Sequence, residues 1–461
     1  MIIRTEEIKN RRYLVAGAAR SGVAAAEFLV KYGAEVTVSD IKKESDIPEM
    51  ADRLKSLGVH LDLGGHTESL FLNSDCIVLS PGIPVENPVI KKAINSGVEV
   101  ISEIELAFRH TDAYIIGITG SNGKTTTTAL TGALLKEGAL NSVTCGNIGN
   151  SFIGELLRNP GTEYFVIELS SFQLDTIKGF NPKAGTILNI TPDHLDRYAG
   201  LEEYAASKFR IFLNQGIGDT AVLNYDDPLL NMLSRRLQSK VLFFSMKAKV
   251  DNGLFLRGCE IIYAEGGKES VFCPSNLLIL KGRHNIENFM AAALLGLSVG
   301  LKKEIILKTA SEFKPVEHRL EFVREVNGVA YYNDSKATNV DATIKALESF
   351  DGKLILILGG KDKGSDYNVL KDLLVEKVEY LIITGEASAK IAKQLGEKVP
   401  HIIEIKFDDA VKTAIQIAEH GNIVLLAPAC ASFDQFKNFE ERGRRFKEII
   451  NSYNGVKKEN G

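Results

Sequence analysis

Cysteine is scarce in this chain. Five occur in 461 residues, at positions 76, 145, 259, 273 and 430, an odd number with no C-x-x-C pair. That pattern offers neither a disulfide framework nor a zinc spacing, and it suits a reducing compartment. Long apolar stretches are also missing: runs such as LILIL at 354–358 fall far short of the roughly 20 residues that a membrane helix needs. The opening MIIRTEEIKNRRYL lacks the apolar stretch of a secretory signal, so a cytoplasmic location without a membrane span is expected. Nor is there a basic excess. Lys and Arg number 55 against 59 Asp and Glu, a formal charge of −4, whereas nucleic-acid binders concentrate positive charge. A small anionic ligand needs only a few local cations.

What is present is the composition of an ordinary folded protein, 44% hydrophobic and 25% charged, and enough length for about three domains. Short apolar runs of β type alternate with helical patterns almost throughout, which predicts an α/β fold of parallel sheets covered by helices. Three blocks separate at about 1–110, 111–314 and 315–461.

The first block opens with strand 14–16, the turn GAARSG from Gly17 to Gly22, a helix, and a second strand ending on Asp40. The turn is like a dinucleotide fingerprint whose middle Gly is replaced by Ala19. A helix N-terminus binds any diphosphate through its free N–H groups, so NAD, another nucleotide, or a plain tight turn all fit.

The second block contains GITGSNGKTTTT at 117–128, after an apolar strand and before a helix, the setting in which a glycine loop cradles phosphates. Its spacing is one residue off the common form, with Ile118 where the first Gly is usual. Lys124 offers a charge for terminal phosphates, and Thr125 or Thr126 a hydroxyl for Mg²⁺. YFVIELSSFQL ends its strand on Glu168, either a metal ligand or a cap for the following helix. TILNITPDHLDRY gathers Asn189, Asp193, His194 and Asp196 past another strand, fit for a metal or for phosphate oxygens. In EEYAASKFRIF, Lys208 reads from spacing as a surface lysine, although a partly buried one becomes nucleophilic, even towards CO₂. KGRHNIENFMAA sets Asn285 and Asn288 on one helical face, near an adenine or as caps. The third block adds polar loops beside apolar strands: EHRLEF, NDSKATN, GGKDKG and ACASFDQFKNFEERG.

This series resembles the ATP-dependent Mur ligase family across essentially the whole chain, and within it the branch that adds D-glutamate. TGSNGKT, GNIG, ELSSFQL, NITPDHLDRY, YAASKFRIF, HNIENFMAA, EHRLE, NDSKATN and LAPACASFDQFKNFEERG follow in the family's order, and the short glycine spacing is the family's own. The resemblance implies three domains: a Rossmann-like uridine-nucleotide domain, a P-loop-type ATPase domain and a Rossmann-like closing domain. It implies UDP-N-acetylmuramoyl-L-alanine, D-glutamate and ATP as substrates, an acyl-phosphate intermediate, two Mg²⁺ ions and a monomer. Gly120, Ser121, Asn122, Gly123, Lys124, Thr125 and Thr126 are implied to hold ATP phosphates, with Asn285, Asn288, Arg319, Asp334 and Lys336 completing the nucleotide site. Thr125, Glu168, His194 and a carbamylated Lys208 are implied for metal, with Lys124, His194 and Lys208 in catalysis. Gly17, Ser21, Gly22, Asp40, Lys42, Gly82, Asn147 and His194 are implied for the uridine substrate, and Thr338, Lys363, Ser432 and Phe439 for D-glutamate. Ile41 and Lys42 depart from the family's Thr and Arg, replacing a bidentate fork with a point charge.

Overall fold

Leu14, Val15 and Ala16 are buried in their strand, and so is every residue of Leu354–Gly359. Uninterrupted apolar runs of this kind belong to parallel strands covered on both faces. A computed structural model describes residues 6–147, 149–192, 197–279, 282–313, 317–350 and 352–455. Among those residues the strands form three sheets with helices between them, which is the three-domain α/β architecture expected.

The first sheet has the spatial order His60–Leu63, Glu35–Asp40, Arg12–Ala16, Cys76–Leu79, Glu99–Ser102, all parallel. The second runs Lys268–Pro274, Glu260–Glu265, Gly253–Arg257, Lys240–Ser245, Thr220–Asn224, Ala184–Ile187, Tyr114–Thr119, Tyr164–Glu168, Ser142–Gly146. Only its first two pairings are antiparallel. Strand order reverses around Arg12–Ala16 in one sheet and around Tyr114–Thr119 in the other, and ligands of open α/β sheets bind outside the carboxyl ends at such points. Both glycine turns lie there.

These two sheets belong to one compact unit, made of Met1–Ile190, Glu202–Leu277 and Glu287–Glu312. Helix Glu103–Arg109 fastens the first sheet's domain to the second's through two buried carboxylates. Glu105 accepts from the N–H groups of Lys178, Gly179 and Phe180 at 2.9–3.1 Å and from Arg109 Nε at 2.9 Å. Its charge is thereby satisfied. Glu103 Oε1 accepts from the Ile153 N–H at 2.5 Å, while its buried Oε2 has no hydrogen-bond partner. Burial pushes the Glu103 carboxyl up to about 7.

The second unit comprises Thr191–Leu201, Leu278–Ile286 and Phe313–Gly461. Its sheet runs Glu321–Val326, Val329–Asn333, Ile423–Leu426, Leu354–Gly359, Val378–Thr384, His401–Ile403, parallel except for the first pair. The expected boundary at 314/315 lies outside the described residues. No helix among the described residues is long and apolar enough to cross a membrane.

Candidate active site

The phosphate-type loop is built by backbone geometry first. Gly123 caps helix Lys124–Glu137 at φ +84°, and a Cβ there would lie 2.3 Å from Asn288 Oδ1, so only glycine fits. Asn189 holds the loop from the neighbouring strand end. Its carbonyl accepts from the Ser121 N–H at 2.9 Å, its Oδ1 from the Asn122 N–H at 2.8 Å, and its Nδ2 donates to the Asn122 carbonyl at 3.2 Å. Lys124 Nζ donates to the carbonyls of Gly120 and Ser121, each at 2.8 Å.

Glu168 is 2% exposed and draws two elements to the loop. Its Oε2 accepts from Thr125 Oγ1 at 2.9 Å and its Oε1 from Asn147 Nδ2 at 3.1 Å. The following helix Ser171–Leu174 is capped by Ser170 and Gln173, so the capping role considered for Glu168 falls away. Thr126 is buried one residue further along helix Lys124–Glu137. Asn288 meets Thr127 Oγ1 at 3.3 Å.

Lys208 is 1% exposed, which corrects the surface reading. Helix Leu201–Phe209 turns it inward, with its Nζ 4.5 Å from the centre of the Tyr204 ring. Spacing pointed outward because the polar residues around it alternate without a clean apolar stripe; packing decided otherwise. His194, with Asp193 and Asp196, lies outside the described residues.

The first glycine turn carries a cation of its own, Arg20, whose guanidinium donates to the Gly149 carbonyl rather than to carbonyls of the turn. A Cβ on Gly22 would lie 1.8 Å from the Gly17 carbonyl oxygen, so helix and strand meet only through glycine. Asp40 closes the turn: Oδ2 accepts from the Ala18 N–H at 2.7 Å and Oδ1 from the Lys42 N–H at 2.9 Å. Ser80 Oγ donates to the Gly17 carbonyl at 3.1 Å. Ser21 opens the helix, and Lys42 and Gly82 are exposed beside the same carboxyl ends.

In the second unit three loops gather at the carboxyl ends of their strands. The Gly359 N–H donates to the Pro428 carbonyl at 2.8 Å, and Lys361 and Ala431 exchange backbone hydrogen bonds of 2.9 and 3.1 Å. Lys336 Nζ stands 4.6 Å from the centre of the Phe439 ring, so two residues assigned to different ligands share one place. Asp334 is fully buried; Arg319 Nη1 is 3.9 Å from its Oδ1. Burial pushes the Asp334 carboxyl up, against the pull of Arg319, the Leu320 N–H and Lys336. Ser432 is buried, Thr338 and Lys363 are half-buried, and the Thr338 N–H donates to the Lys336 carbonyl at 2.8 Å. Asn285, buried, opens helix Arg283–Ser298 within this unit. Beside it, burial with Arg319 and Lys345 lowers His284 to about 3, leaving a neutral imidazole.

Comparison with known proteins decides what this arrangement belongs to. The family model for the Mur ligase MurD-like N-terminal domain matches residues 11–102, that for the Mur ligase middle domain 118–296, and that for the Mur ligase glutamate ligase domain 318–430. A UDP-N-acetylmuramoylalanine--D-glutamate ligase of Koribacter versatilis is 48% identical over 446 residues, covering 96% of this chain and 98% of that protein. The chain belongs to the Mur ligase family. A ligase of the same name from Pelotomaculum thermopropionicum is 44% identical over 96% of this Mur ligase and 98% of its own length. Among solved structures, a pseudomurein peptide ligase type C from Methanothermus fervidus shares the fold, with TM-score 0.61 and 21% identity over 96% of this chain and 99% of that one.

Four features of this Mur ligase were not read from its sequence. Tyr204 lies one helical turn before Lys208 and was available from that spacing. Glu103 and Glu105 follow the cap residue Ser102 and read as first-turn acids. Arg442, 2% exposed, sits in the charged run FEERGRRF. It donates to Ser335 Oγ at 3.0 Å and to the carbonyls of Ser335, Cys430 and Ala431 at 2.9–3.3 Å. Those acceptors are uncharged, and burial lowers the guanidinium to about 10.

Proposed function

We propose that this Mur ligase joins D-glutamate to UDP-N-acetylmuramoyl-L-alanine at the expense of ATP, in cytoplasmic peptidoglycan precursor synthesis. The observation that carries the reading is the linkage of Thr125, Glu168 and Asn147 beside Lys124 at the strand-order reversal of the second sheet. Relatives at 48% and 44% identity named as D-glutamate ligases support the choice of amino acid.

The alanine carboxylate attacks the γ-phosphorus of ATP, the bond to ADP breaks, and an acyl phosphate forms. The D-glutamate amine then attacks the acyl carbon; phosphate leaves and the amine proton is released with the new amide. Nucleophile and triphosphate are both anions, so positive charge has to stand between them. Lys124 supplies one such charge. The oxygen donors Thr125 and Glu168 fit Mg²⁺, a hard cation. Bound Mg²⁺ neutralises phosphate oxygens during transfer. A carbamate on Lys208 turns a buried cation into an anionic oxygen donor, and we assign it with His194 to a second ion.

Gly17, Ser21, Gly22, Asp40, Lys42, Gly82 and Asn147 are our candidates for the uridine nucleotide. Asn285, Asn288, Arg319, Asp334 and Lys336 are candidates for ATP, and Thr338, Lys363, Ser432 and Phe439 for D-glutamate. The test is phosphate release with UDP-N-acetylmuramoyl-L-alanine and ATP, offering candidate amino acids one at a time. Release that requires D-glutamate is expected; release that another amino acid supports better, or that needs none, sinks the reading.

A further inference from the structure

The loop after strand Leu354–Gly359 carries Lys363, and the segment after strand Ile423–Leu426 carries Ser432. A cluster outside both candidate residues holds the two segments together. Asp362 is its centre: Oδ1 accepts from Tyr367 Oη at 2.8 Å and from the Ser365 N–H at 3.1 Å, and Oδ2 accepts from Lys390 Nζ at 2.7 Å. The Tyr367 ring is fully buried, and its Oη lies 3.0 Å from Cys430 Sγ. With the phenol proton given to Asp362, the thiol is the donor of that last contact. Lys390 Nζ also stands 5.4 Å from the centre of the Tyr367 ring. The chain of contacts thus runs from Lys390 on helix Ser388–Leu395, through Asp362 and Tyr367 after the first strand, to Cys430, two residues before Ser432 on the other segment.

Two physical consequences follow. A hydroxyl shared between a carboxylate and a thiol adds a side-chain tie to two loops whose backbones bond at Gly359 and Pro428 and at Lys361 and Ala431. And Asp362 puts a negative charge next in sequence to Lys363, where a dicarboxylate ligand would be repelled unless that charge is cancelled. Lys390 cancels it at 2.7 Å.

We propose that Asp362, Tyr367 and Lys390 are positioning residues of the amino-acid subsite. They hold Lys363 and Ser432 at the separation that D-glutamate requires, and Lys390 keeps the subsite receptive to a dianion. The proposal rests on the D-glutamate reading above for the identity of the ligand.

Tyr367→Phe in the full chain keeps the ring and removes both hydroxyl contacts. The KM for D-glutamate should rise about five- to twentyfold, with kcat and the KM values for ATP and the uridine nucleotide within about twofold. Trypsin should cut the Lys363–Gly364 bond faster than in the wild type. Lys390→Ala should raise the same KM, and adding Asp362→Asn should bring it back down. The amide oxygen still accepts from Tyr367 and Ser365, while the uncovered charge is gone. Equal rises in all three KM values, or no change in KM and cleavage, overturn the proposal. So does a Lys390→Ala, Asp362→Asn double variant no better than Lys390→Ala. Wild-type phosphate release that ignores D-glutamate would instead overturn the functional reading, and the cleavage rates would still decide whether the cluster locks the loop.

Discussion

Two glycine turns in the same unit end parallel strands and open helices, but their own side chains are held differently. At Gly17–Gly22 the strand next door contributes a carboxylate, Asp40, which occupies the Ala18 N–H at 2.7 Å, and the turn's own cation, Arg20, is held on the Gly149 carbonyl. At Gly120–Lys124 the loop itself contributes a cation and a hydroxyl, and the strand next door brings Glu168 to that hydroxyl at 2.9 Å. A turn of the first kind holds a phosphate group in place through N–H donors. The second kind can also meet charge that moves during a reaction. The glycines and a carboxylate from the neighbouring strand are common to both; what differs is the Lys124 and Thr125 that the second loop itself supplies.

The comparison is broken most severely at Lys124. Lys124→Ala should lower D-glutamate-dependent phosphate release by at least about 10³-fold, with uridine-nucleotide affinity, measured by calorimetry, changed by less than about twofold. Near-normal turnover would end the phosphate assignment. Lys208→Ala comes next, with an expected loss of roughly 10²–10³-fold and partial recovery when acetate or formate is added to the assay. Full activity without added acid would remove the carbamate.

Asp40→Ala addresses the other turn. It should raise the KM for the uridine nucleotide about tenfold while kcat falls less than about threefold, since only binding is lost. A kcat loss as large as that of Lys124→Ala would erase the distinction between the two turns.

The smallest effect is at the joint that holds the two turns' domains together. Glu103 has a folded-state pKa of about 7, raised from 4.5, so between those values the folded chain keeps a proton that the unfolded chain releases. Stability contributed at this site is therefore present below the unfolded pKa and lost as pH rises through the folded one. Glu103→Gln should stabilise the fold at pH 8 by on the order of 1–3 kcal/mol, seen as a higher Tm, and change Tm little at pH 4.5. A Tm difference that is flat with pH would show that the carboxyl is not protonated in the fold.

Much of the fold was legible because its signals are local. Apolar strands such as YFVIE and LILILG end at glycine or acid and hand over to helices, and that alternation dictates layers. Glu168 was legible at a strand end, and the Gly-Lys-Thr run was legible in the chain. Burial of Lys208 was not, because its helix has polar residues on several faces and only the surrounding elements choose which one faces inward. Arg442 was hidden for the same reason: in a run of five charged residues among FEERGRR, nothing local marks the one that meets four uncharged oxygens. Asn189 was noticed as a functional candidate, and its amide turned out to brace the loop that binds phosphate in our proposal.

By itself the sequence determined the α/β class, the family, and the short loop with Lys124 and Thr125 at its end, because strand periodicity, turn glycines and a contiguous motif are properties of neighbouring residues. Tertiary structure alone decided that Glu168 joins Thr125 to Asn147, that Lys208 faces inward, and that Tyr367 ties Asp362 to Cys430. The partners Thr125 and Glu168, Asn147 and Glu168, and Tyr367 and Cys430 stand tens of positions apart, and only the crossing of strands and the exclusion of water bring such groups within hydrogen-bonding reach.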